Sequence, residues 1–194
     1  MSDQGYIDYF DALGVSDTAK IGEVKNTYKK VMKQLLMEIG RTTITDSRRD
    51  SFLLNIARLN AAYYILRDND RREQYVDDRA KVVDLEQQWR DAVEKGTDTA
   101  DGLRRAYDGA LKHFLSTYME ELMLEAGRDR ECVEASRWSR AHERHASRVL
   151  RHYRQRIYHE IHERLPYYQI TAPEIDWDER AKLVSQTLAE GSVA

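Results

Sequence analysis

Leu59-Asn60-Ala61-Ala62-Tyr63-Tyr64-Ile65-Leu66-Arg67-Asp68 is the stretch whose reading decides the fold. It closes a helix predicted over about 50–67, with Phe52, Ile56, Leu59, Ala62, Tyr63 and Leu66 on the inward side at helical spacing. Asp68-Asn69-Asp70 breaks that pattern and can cap a short segment from Arg71 to Tyr75. Working upstream, residues 41–50 are polar and read as a loop. A helix over about 18–39 precedes them, with caps offered by Ser16-Asp17-Thr18 and an end at Gly40. Its apolar side carries Ile21, Val24, Tyr28, Val31 and Leu35, and its other side Lys25, Lys29, Lys30 and Lys33. Tyr6, Tyr9, Phe10 and Leu13 form a shorter amphipathic segment, closed by Gly14 as a C′ residue. Three such helices suffice to enclose a small core.

Downstream, the pattern stays helical. Residues 79–95 place Val82, Leu85, Trp89, Ala92 and Val93 on one side, and Gly96 ends them. Asp98 is the expected N-cap of a helix over 99–126, which Gly127 stops. One long helix is expected over 130–164 and a last one over about 173–190, after a Thr171-Ala172-Pro173-Glu174 capping box. The short link at Gly127 makes 99–126 and 130–164 antiparallel neighbours. The fold class is therefore all-α: a small N-terminal module over 1–78, then a C-terminal helical region over 79–194 containing a long antiparallel hairpin.

Composition narrows the function. The 194 residues carry 31 Lys and Arg against 34 Asp and Glu, a net charge of −3, so no strong overall field draws in nucleic acid. The single cysteine, Cys132, excludes an intramolecular disulfide and fits a reducing, cytoplasmic setting. The first five residues lack the basic flank and apolar core of a signal peptide, and no apolar run approaches a membrane span. No Gly-rich phosphate loop or nucleophile elbow is present, and Cys132 sits in no catalytic signature. The expectation is a non-enzyme without a cofactor.

Residues 1–78 resemble the J-domain, the module of DnaJ-like co-chaperones. The resemblance rests on Asp8 to Val15, on Ala19 to Leu35 with Tyr28-Lys29-Lys30, on Leu59 to Asp68 and on Arg71-Arg72-Glu73-Gln74-Tyr75. It covers the first two-fifths of the chain. It implies a helical module that meets a seventy-kilodalton heat-shock chaperone through the basic face Lys25, Lys29, Lys30 and Lys33. Family members carry His-Pro-Asp just after the second helix, and that tripeptide triggers ATP hydrolysis by the chaperone. Here the aligned residues are Leu36-Met37-Glu38, or Met37-Glu38-Ile39 if the register slips by one, and neither His nor Pro occurs between positions 1 and 78. Such residues can simply continue the helix. The resemblance thus implies a degenerate J-domain that leaves the chaperone ATPase unstimulated.

The segment 137–164 holds the remaining candidates. Its eight arginines face three acids. His142, His145, His152, His159 and His162 share one face if the helix is unbroken, at about 100° per residue. With Arg144, Arg148 and Arg151, the residues His145, His152 and His159 make a candidate partner-binding face. The pairs His142/His145 and His159/His162 are the weak candidates for a metal, since their spacing is not that of the zinc-protease helix.

The favoured reading is a non-catalytic J-like adaptor that binds protein partners, a heat-shock chaperone or a client, and can self-associate through unburied helical stripes. The first alternative is an active atypical co-chaperone with a helical client-binding domain, as in iron–sulfur assembly. The second is a nucleic-acid-associated regulator using the Arg/His helix, against which the overall charge argues.

Overall fold

The computed structural model describes residues 6–41, 45–166 and 181. The Asp8 carboxylate starts the first helix, α1 (Tyr9–Leu13), by accepting from the Phe10 and Asp11 amides at 2.9 and 3.1 Å. Gly14 ends it at φ +67°, the left-handed conformation that glycine adopts at least cost. The second helix, α2 (Ile21–Arg41), runs through Gly40 rather than stopping there. Ser16 and Thr18 bond to each other in a turn ahead of α2 instead of capping it. The third helix, α3 (Asp46–Leu66), begins at Thr45, whose hydroxyl accepts from the Arg48 amide. Residues 46–50, expected in the loop, are therefore helical.

Asp68 caps the next helix, as its sequence position promised, accepting from the Arg71 amide at 3.0 Å. That helix, α4 (Asn69–Glu94), is one rod where a short segment and a separate helix were expected. Val76-Asp77-Asp78 contains no breaker, and tertiary bonds hold the join. Asp78 accepts from the Tyr118 hydroxyl at 2.8 Å, and Arg79 pairs with Asp8 at 3.3 Å.

Gly96 at φ +61° turns the chain into α5 (Ala100–Ser116), antiparallel to α4. The residue before α5 is Thr99, which makes no side-chain cap bond, so Asp98 is not the cap it was expected to be. The helix widens into a π turn over Thr117–Glu121 and continues as α6 (Leu122–Ala126). At the widening, the Tyr9 hydroxyl donates to the Tyr118 carbonyl, a side-chain insertion of the kind that accompanies such turns.

The expected helix over 130–164 is broken. Asp129 caps α7 (Arg130–Ser136), Arg137 then takes a left-handed φ of +56°, and α8 (Arg140–Arg164) follows. The Ser136 hydroxyl drives the break. It donates back to the Cys132 carbonyl at 2.6 Å and accepts from the Trp138 amide at 3.3 Å. α8 still runs antiparallel to α5 and α6. Glu143 meets Arg128, Arg151 and Arg154 meet Glu120, and Tyr158 meets Asp108.

Residues Met1–His162 form one compact unit and Glu163–Ala194 a second. The helix expected over 173–190 lies outside the described residues. Inside the first unit, α1 shares its core with α4 and α5. Tyr75 stacks beside Tyr9, Phe114 and Tyr118 with centroid distances of 5.2, 6.4 and 5.2 Å. The Tyr75 hydroxyl donates to the Ile7 carbonyl at 2.6 Å and accepts from the Tyr9 amide at 3.1 Å. Trp89 of α4 stacks on Tyr107 of α5 at 5.7 Å.

Gly127 ends α6 with ordinary helical torsions, so its role is space. A Cβ there would sit 2.7 Å from Trp138 Nε1, and the indole is itself buried. Gly127→Ala should therefore lower unfolding free energy by about 1–3 kcal/mol. Urea denaturation checks it, and a variant as stable as the parent would contradict the close packing.

Candidate partner-binding groove

The face of α2 that carries Lys25, Lys29 and Lys33 is a single row, because the spacing is four residues throughout. Leu36 and Met37 continue the same row. α7 lies across it and closes a groove of ≈ 840 Å³. Lys29, Lys33, Leu36 and Met37 line one wall, and Glu134 and Arg137 the other. Met37 is 47 % exposed, an apolar side chain offered to solvent. Lys30 is exposed and does not line this groove. Glu38 lines a different one of ≈ 450 Å³ with Asp11 and Arg58, so the three aligned positions diverge. All three are helical.

Three sets of bonds pin α7 in place. Lys25 pairs with Glu131 at 3.2 Å, and Glu131 also accepts from the Tyr63 hydroxyl. That hydroxyl and Lys25 hold the Glu131 carboxyl below its ordinary range. Asp129 takes Arg67 in two parallel bonds of 3.0 and 2.6 Å while capping α7 through the Cys132 amide at 3.1 Å. Asn60, fully buried, accepts from the Tyr28 hydroxyl at 2.8 Å and donates to Ser136 at 3.2 Å. Above them Tyr28 and Tyr63 stack at 4.3 Å with planes 4° apart.

Cys132 faces inward on α7, with its thiol 3.7 Å from the Asn60 carbonyl. Burial, with the nearby Asp129 charge, pushes that thiol up to about 12, which leaves a packing residue rather than a nucleophile. Reading the sequence missed Glu131, Asp129, Arg67 and Asn60 as groove-forming residues. The one legible signal was Asp129, a good cap directly before Arg130.

The Arg/His face is partly as expected. His145, His152 and His159 are exposed on α8, with Arg144, Arg148 and Arg151. His142 turns back on its own helix start, bonding Ser139 at 3.0 Å beside Trp138. His162 leaves the face, with Nε2 3.3 Å from Asp108 and its ring 4.3 Å from Tyr158. Among the described residues no three His, Cys, Asp or Glu side chains converge as a metal site, so the candidate pairs gain no third ligand. No helix among the described residues is long and apolar enough to cross a membrane.

The fold and groove thus define an all-α chain with a J-like helical start whose second helix is overlain by α7. Comparison with known proteins points the same way. The chain is similar to the chaperone protein DnaJ of Hydrogenobacter thermophilus, at 29% identity over 139 residues, covering 68% of this chain and 36% of that protein. It is also similar to the chaperone protein DnaJ of Listeria welshimeri, at 31% identity over 68 residues, covering 35% of this chain and 16% of that protein. The chain therefore spans about a third or less of the length of the relatives it matches. No family model matches the chain, and no solved structure matches it.

The Arg67–Asp129 pair has a consequence in acid. Burial alone would raise the Asp129 carboxyl, but the bonds from Arg67 and the Cys132 amide outweigh it and hold the group below its usual range. A depressed carboxyl adds stability above its unfolded value of about 3.9, and that stability fades as pH falls below it. Asp129→Asn should cost about 1.5–3 kcal/mol at pH 7, since Arg67 is only 19% exposed and loses its partner. The gap between variant and parent should narrow as pH falls toward about 3. Thermal melts across that range check both points, and a gap independent of pH would contradict the pairing.

Proposed function

We propose that the chain is a chaperone-related, non-catalytic J-like adaptor that docks a protein partner through the α2–α7 groove. In this reading it does not stimulate ATP hydrolysis by a seventy-kilodalton heat-shock chaperone. The observation that carries it is the course of α2, helical without interruption from Ile21 to Arg41. The positions aligned with the family's His-Pro-Asp are therefore Leu36, Met37 and Glu38 on a continuous helix, with Leu36 and Met37 turned into the groove. None of the three combines the imidazole, ring and carboxylate of the family trigger.

The basic row supports docking of a restricted kind. Lys25 is committed to Glu131, while Lys29 and Lys33 remain exposed at the groove mouth. A partner with carboxylates set around an apolar side chain would meet Lys29, Lys33 and Met37 together. The chaperone that the DnaJ likeness suggests is the first such partner to try, and a client protein the second. The reading assigns no catalytic residue and no cofactor.

The test uses the purified chain with a purified bacterial seventy-kilodalton chaperone. Single-turnover ATP hydrolysis should stay at its basal rate, while titration calorimetry should detect binding that Lys29→Glu with Lys33→Glu abolishes. Stimulated hydrolysis by the unmodified chain would overturn the non-catalytic reading. Binding indifferent to the two charge reversals would overturn the groove as its site.

A further inference from the structure

The outer face of α8 carries a row of exposed basic side chains. Arg67, Arg79, Arg90, Arg128, Arg130 and Arg154 are each paired with a carboxylate. Arg144 and Arg148 are exposed and have no such partner among the described residues, and the same holds for His145 and His152. Of the nearby acids, Glu143 is engaged with Arg128 and Glu120 with Arg154 at 2.9 Å, while Asp50 lines a second depression together with Arg148 and His152. Arg151 reaches Glu120 at 3.4 Å from the edge of the row and stays 61% exposed. The charge on this face is thus left for something outside the described fold.

A shallow depression of ≈ 480 Å³ runs along the row, lined by Arg144, Ser147, Arg148, Arg151, His152 and Gln155. None of its own six lining residues is apolar, and Leu54, Val149 and Tyr153 belong to the adjoining depression that shares Arg148 and His152. That lining separates the candidate occupants. A protein interface needs an apolar or aromatic centre from which charge is excluded, and a membrane surface needs apolar anchors beside the cations. Phosphodiester backbones ask for neither. They are held by Arg, Ser and Gln donors in a wet, polar, positive surface. From Arg144 to Gln155 the helix rises about 16 Å, the axial span of about five phosphates of one strand.

We propose that the outer face of α8 binds the phosphodiester backbone of nucleic acid without reading its sequence. Arg144, Arg148 and Arg151 supply the charge, and Ser147 and Gln155 the hydrogen bonds. The site is independent of the α2–α7 groove, which stands on different helices. The chain's overall charge of −3 is a sum over the whole surface and does not set the local field along this row.

Fluorescence anisotropy of a labelled mixed-sequence DNA duplex tests it, with the whole chain and no chaperone present. Binding should appear at low salt and weaken with a log–log salt slope of about −3, the value for three neutralised phosphates. Arg144→Gln with Arg148→Gln should bring the slope to about −1 and leave the melting temperature unchanged, since neither side chain has a partner to lose. Absence of binding at low salt would overturn the proposal. So would an unchanged slope in the variant, equal capture of a polyglutamate of matched charge, or binding to anionic vesicles alone.

Discussion

A buried side-chain amide must place its donors and its acceptor or destabilise the fold by about 1–3 kcal/mol for each group left over. Asn60 is 0% exposed and meets that demand across three helices. Its oxygen takes the Tyr28 hydroxyl of α2, its nitrogen gives to Ser136 of α7, and its own carbonyl faces the Cys132 thiol. Hydrogen-bond geometry is narrow, so these bonds fix the register of α2 and α7 on α3 more tightly than apolar contact would. The Tyr28–Tyr63 stack, the Arg67–Asp129 fork and the Lys25–Glu131 pair all fall into place around that register.

The functional consequence lies in what α7 covers. The row Lys25, Lys29 and Lys33 is the face we propose for docking, and its first lysine is bonded within the chain. An exposed ion pair of this kind is worth little by itself, about 0–1 kcal/mol. Its weight comes from the buried anchors on either side, which would hold α7 over α2 even if the pair were lost. The groove that remains joins the basic Lys29, Lys33 and Arg137 and the acidic Glu134 to the apolar Leu36 and Met37 of the second helix.

Much of this was legible in the sequence because it is local. Gly14 in the left-handed conformation, Asp68 as a cap, Gly96 at the hairpin turn and the inward set Leu59, Ala62, Tyr63 and Leu66 follow from spacing and residue type. What escaped is set by tertiary contact. Nothing between Ser136 and Ser139 is glycine or proline, so the break before α8 was hidden. It comes from the Ser136 back-bond and from Trp138 seating against Gly127. The continuity of α4 was hidden because the reading ended one segment at Tyr75 and began the next at residue 79, where the Tyr118–Asp78 bond and the Asp8–Arg79 pair hold a single rod. The basic row itself was visible, but the acid that meets it lies more than a hundred residues away on a helix that periodicity merged with α8.

The account stands on α7 lying closed over α2 in solution, and zero-length carbodiimide cross-linking measures that directly. The reagent joins a carboxylate to an amine only when the two are in contact, as Lys25 Nζ and Glu131 are at 3.2 Å. Digestion and mass spectrometry should recover a Lys25–Glu131 linked peptide from the monomeric chain, and Asn60→Ala should diminish it by loosening the register of α7. Linkage of Glu131 to lysines elsewhere, with Lys25 left unmodified, would contradict the closed arrangement and reopen the full basic row.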